Sequence, residues 1–82
     1  MPEIARFYGI IIKLFFGDHP PPDFHAVYGE YIAVFDIQNL AMIEGDLPNR
    51  ARKLVIEWAT IHQTELLKMW NNQEFRKLSP LP

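Results

Sequence analysis

Three histidines and a few acids and bases are the residues of this chain able to move protons or hold charge. His25 comes first. It lies in "FHAVYGEYIAVFD", where a two-residue Gly29-Glu30 turn with glycine leading suits a type II′ hairpin. That turn pairs Tyr28 with Tyr31, Val27 with Ile32, Ala26 with Ala33 and His25 with Val34, which sets Asp36 diagonal to His25. Asp23 falls on the same face if the strand begins that early. A histidine between carboxylates keeps its proton more readily and can serve as general acid or base, with Asp36 as its orienter. The competing reading is a histidine held by an aspartate for structure alone.

His19 and Asp18 sit on the proline loop "GDHPPPD". With Asp23 and His25 they offer two imidazoles and two carboxylates within eight residues. The spacing matches no standard zinc motif, so a solvated turn is the favoured reading, and neither metal nor cofactor is expected. His62 lies one turn after Trp58 on a helix pattern, with Glu65 three residues on. A core histidine bonded to Glu65 or to backbone is the first reading. The sharper one makes His62 a third member of the His25 group, supplied across the helix–sheet contact.

Arg50, Arg52 and Lys53 crowd the first turns of that helix. Cations there oppose the helix dipole, which suggests a bound phosphate or an acidic partner as compensation. Ordinary surface charge is the alternative. A last group is aromatic: Phe24, Tyr28, Tyr31 and Phe35 share the hairpin face opposite His25. One helix covers one face of a sheet. The aromatic face is therefore expected to be left open and to bind a protein partner.

The elements that position these residues follow from periodicity. Residues 5–16, "ARFYGIIIKLFF", read as one buried strand with a bulge or bend at Gly9. Three prolines stiffen the loop that ends it. The hairpin follows, then a short strand over residues 40–44 that Gly45-Asp46 ends. A helix is predicted over about 48–72, with Pro48 in its first turn and Asp46 as a cap. Ala51, Leu54, Val55, Trp58, His62, Leu66 and Met69 form its apolar stripe. The expected fold class is α+β: an antiparallel sheet of three to four strands with one long C-terminal helix across one face.

The totals bound what such a fold can do. Eighty-two residues make a single domain, 1–82, that buries only about 60–65% of its unfolded surface, so a partner or a second copy is expected to add burial. There is no cysteine, hence no disulfide or thiolate site, which suits a cytoplasmic location. A net charge of −2 and a pI near 5.8 oppose bulk attraction to nucleic acid or anionic membrane. The apolar run from Phe7 to Phe16 is too short to span a bilayer and carries Lys13.

The blocks "RFYGI", "DHPPPDFHAVYGEY" and "EWATIHQTELLKMW" together resemble the small prokaryotic family known as domain of unknown function 4160. In that family the proline loop usually runs on to histidine, phenylalanine, histidine. Here Asp23 takes the first of those places, which removes a two-histidine ligand pair on the strand. The resemblance implies a gene neighbour encoding another very short protein, in an arrangement similar to toxin–antitoxin pairs. A topological likeness extends to HicA-type mRNA interferases. Two functions follow as expectations. In a metal-independent ribonuclease toxin, His25 and Asp36 would move protons, with His19 or His62 assisting. Arg50, Arg52 and Lys53 would hold RNA phosphates. In a non-enzymatic interaction or regulatory module, the apolar sheet face would be the working surface. The partner is then a second small protein encoded nearby or a second copy, with RNA as a further ligand in the nuclease reading.

Overall fold

The computed structural model describes residues 3–14 and 21–82. Among these residues five strands form one sheet: β1 (Glu3–Phe7), β2 (Ile10–Lys13), β3 (Asp23–Tyr28), β4 (Tyr31–Asp36) and β5 (Met42–Gly45). They follow one another across the sheet in chain order, every neighbour antiparallel. One helix, α1 (Asn49–Asn72), comes last. The α+β class is as expected, but five strands replace three to four.

The extra strand comes from a turn at Tyr8-Gly9. Both residues hold positive φ, 50° and 81°, as the two centres of a type I′ turn must. The described part of the expected 5–16 strand therefore forms not one bent strand but a tight hairpin of β1 and β2, with Phe7 opposite Ile10. Asparagine-glycine is the usual signal for this turn, and Tyr8 hides it. The β3–β4 hairpin keeps the expected register from Tyr28↔Tyr31 to His25↔Val34 and extends it to Asp23↔Asp36. Gly29 has φ 59° and Glu30 is not among the positive-φ residues, which agrees with a type II′ turn.

The helix lies on the face that carries Phe24, Ala26, Ala33 and Phe35, all fully buried. Trp58 is the centre of the contact. Its ring meets Phe7 at 5.7 Å and Phe24 at 6.0 Å, and Phe24 stacks on Phe35 at 5.3 Å. Alternating large and small residues make this possible: the two alanines leave depth for the indole between the phenyl rings. The expectation of an open aromatic face is thus overturned for Phe24 and Phe35, because side chains with no exposed surface cannot meet a partner. The energetics favour this choice. Burying a phenylalanine is worth about 1.5–3 kcal/mol. Burying the other face would have to satisfy Asp23 and His25, at about 1–3 kcal/mol for each polar group left unpaired.

Pro48 (φ −58°, ψ 149°) occupies the helix N-cap, with no side-chain cap. Asp46 does not cap the helix as expected; its carboxylate accepts from the Leu47 N–H at 3.0 Å. At the other end Gln73 takes the left-handed conformation (φ 55°), and the Glu74 N–H reaches the Met69 carbonyl at 3.1 Å. Both features belong to a Schellman motif. The chain then returns along the outer edge of β1. Leu78 N–H donates to the Ile4 carbonyl at 2.8 Å, and the Trp58 indole N–H donates to the Ser79 carbonyl at 2.9 Å. Tyr8 donates its hydroxyl hydrogen to the Pro82 carbonyl. The tail covers an edge that would otherwise invite strand pairing. No helix of the described residues is long and apolar enough to cross a membrane.

Candidate functional site

The face of the sheet away from the helix is set by strand alternation. Two cross-strand rows run over it: Arg6, Ile11, Val27, Ile32, and below them Glu3, Lys13, His25, Val34, Glu44. Ile32 is 57% exposed, while Ile11, Val27 and Val34 are half-buried. The β1 margin is an ion pair, with Arg6 Nη2 2.8 Å from Glu3 Oε1. The hydrogen bond from Arg6 holds the Glu3 carboxyl below its ordinary range, and the same bond raises Arg6.

His25 lies at the middle of this face, half-buried, with Asp23 and Asp36 toward one end. His25 and Asp36 thus share a face, as the register predicts. Asp36, however, is committed to the following turn. Its Oδ1 accepts the N–H groups of Gln38 at 2.7 Å and Asn39 at 3.3 Å, and its backbone pairs with Leu40 and Ala41. This arrangement is an Asx-type turn, and it explains why a carboxylate only 8% exposed is tolerated there.

His62 does not join His25. It packs on Trp58 with ring centroids 5.1 Å apart, on the helix side of the sheet, and the sheet itself separates it from His25. Nor does it bond Glu65, whose carboxylate pairs with Arg76. The neighbouring Gln63 instead fastens the helix to the β4–β5 turn, donating to the carbonyls of Ile37 and Gln38 at 2.8 Å each. His19 and Asp18 lie outside the described residues. Among the described residues no group of three His, Asp or Glu is placed to hold a metal ion.

The basic cluster faces elsewhere. Arg50 borders a cleft of about 310 Å³ between the β1–β2 turn and the start of α1, together with Tyr8, Ile10, Tyr28, Pro48, Ala51 and Leu54. Lys53 and Glu57 line an adjoining hollow. Arg52 is exposed. Tyr28 is three residues from His25, about 10 Å along the strand at ~3.3 Å per residue, and it points to the opposite face. A phosphate held by Arg50 therefore lies outside the ~3 Å reach that proton transfer to or from His25 requires. Among the described residues, those nominated for RNA cleavage form separate groups, with His25 and Asp36 on one face and His62 and Arg50 on the helix side. Tyr28 and Tyr31 do remain exposed at the hairpin tip, at 36% and 45%. Tyr8 and Ile11 escaped sequence reasoning, because both needed the turn at Tyr8-Gly9.

With the geometry in view, comparison with known proteins is brief. A family model described as Domain of unknown function (DUF4160) matches residues 9–71. The chain belongs to this family. The matched span starts at the β1–β2 turn and ends within the last turn of α1, so it includes β2 to β5 and nearly the whole helix. No curated protein and no solved structure matches the chain. Membership in DUF4160 brings no assigned activity.

Proposed function

We propose that this DUF4160 chain works by binding, as one half of a two-gene pair of toxin–antitoxin type, and that the open sheet face carries the contact with the other protein. One observation supports this most: the apolar centre formed by Ile11, Val27, Ile32 and Val34 is left uncovered by the helix. A half-apolar antiparallel face is a surface that another chain can bury, while charged residues at its margins set orientation. The ribonuclease reading keeps two supports, the shared face of His25 and Asp36 and the cation Lys13 paired across the strands with His25, while Arg50, Arg52 and Lys53 do not join that face.

Sedimentation velocity with the product of the adjacent gene tests the proposal. The wild-type protein should form a complex at micromolar concentration. Ile32→Lys, a change at an exposed strand position, should keep the circular-dichroism spectrum and lose the complex. Unchanged binding by Ile32→Lys would remove the open face as the contact. A self-associating wild type that ignores the neighbour would replace the second protein by a second copy.

A further inference from the structure

The cleft beside the β1–β2 turn is walled by a residue that the turn itself does not call for. Tyr8 stands where a type I′ turn prefers asparagine or glycine, in a left-handed conformation that bulky residues avoid. The residue is 56% exposed, so core packing does not account for it. The hydrogen bond from its hydroxyl to the Pro82 carbonyl fixes the ring as one wall. Tyr28 is the opposite wall. A Cβ on Gly9 would come within 3.4 Å of the Tyr28 ring, so the bare glycine gives that ring room against the turn. Ile10, Ala51 and Leu54 make an apolar floor. The Arg50 guanidinium, at the rim, has no hydrogen bond or ion pair among the described residues.

We propose that this cleft docks an acidic linear peptide segment of a partner protein. One apolar or aromatic side chain of the segment enters between Tyr8 and Tyr28, and a carboxylate adjacent in its sequence meets Arg50. Charge complementarity selects this occupant. Arg50 stands at the rim of the cleft, Lys53 lines the adjoining hollow with Glu57, and the first helical turn holds no acid. A guanidinium grips a carboxylate through two parallel hydrogen bonds. The cleft has the volume for a single large side chain and not for an extended strand of bases. Screening decides the remaining competition. Within a Debye length of about 8 Å a short acidic peptide senses these local cations. A nucleic acid reaching further meets a surface with ten acids against eight bases. The cleft lies on the helix side, away from the open face, so this docking does not depend on the contact proposed above.

The test uses an immobilised array of randomised decapeptides, probed with the whole chain. Wild type should retain peptides that carry aspartate or glutamate within two positions of an apolar or aromatic residue. Arg50→Glu should lose these by at least tenfold and shift toward lysine and arginine. Tyr8→Asn keeps the turn while removing the Pro82 contact, so the circular-dichroism spectrum should be unchanged while peptide retention falls. Amide shifts on adding the best retained peptide should concentrate at residues 8–10, 28–31 and 50–54. Ile32→Lys should leave retention unchanged. The proposal is overturned if no peptide is retained above a blank, or if retained peptides lack acids. It is equally overturned if Arg50→Glu selects the same set, or if a single-stranded oligouridylate displaces the peptide from these amides.

Discussion

Phe24 and Trp58 meet edge to face across the helix–sheet contact, with centroids 6.0 Å apart and planes at 75°. This contact decides which side of the sheet is core and which stays open. All functional assignments follow from that choice. It puts Phe24 and Phe35 out of reach of any partner and turns His25, Val27, Ile32 and Val34 outward.

Trp58→Ala should destabilise the fold by about 3–5 kcal/mol, the usual loss for a buried aromatic. For a domain of ordinary stability, about 5–15 kcal/mol, that is a large share. Urea denaturation followed by circular dichroism reads it. A loss below about 1 kcal/mol would mean that the helix is not held by this ring.

Asp36→Ala should cost about 1–2 kcal/mol, because the Gln38 and Asn39 N–H groups lose their shared acceptor. Asp36→Asn keeps an oxygen at that place and should stay within about 0.5 kcal/mol of wild type. Equal losses from both changes would show that charge, not turn geometry, matters at this position.

Two glycines of positive φ should respond differently to alanine. At Gly29 (φ 59°) nothing lies within 4 Å of an added Cβ, so only backbone strain of about 1–3 kcal/mol is expected. At Gly45 (φ 84°) the same Cβ would fall inside the contact distance of the Ile32 carbonyl oxygen and lie 2.8 Å from the Ala33 Cα. Gly45→Ala should therefore cost more than Gly29→Ala, and thermal melts of the two variants compare them directly.

The Glu3–Arg6 pair predicts a small acid-side effect. Arg6 lowers the folded-state pKa of Glu3 from its ordinary 4.5. The pair's contribution is therefore present above the unfolded value and is lost as pH falls through the lowered one. Glu3→Gln should flatten that part of the stability curve at low salt. In 1 M salt the variant and wild type should coincide, because both partners are exposed and screened.

The β3–β4 hairpin was legible because Gly29 marks the turn and strict alternation then sets every pair down to Asp23 and Asp36. The buried face was not legible. Both faces carry apolar residues at period two, and only the fit of Trp58 between Phe7 and Phe24 over the small Ala26 and Ala33 distinguishes them. Alternation could place His25 and Asp36 together. It could not show that the Asp36 carboxylate serves the turn after it, since that depends on the backbone of Gln38 and Asn39. The cations at Arg50, Arg52 and Lys53 stood out by their position at a helix start. The cleft beside them did not, because its Tyr8 wall exists only once β1 and β2 fold back on each other.

Incubating the purified protein with total RNA tests most directly whether this chain binds rather than cuts. Wild type, His25→Ala and a buffer blank would be compared with and without chelator. The account predicts the same RNA profile in all of them. A wild-type cleavage pattern that falls by about a hundredfold or more in His25→Ala, the usual size of a lost general acid or base, would contradict it.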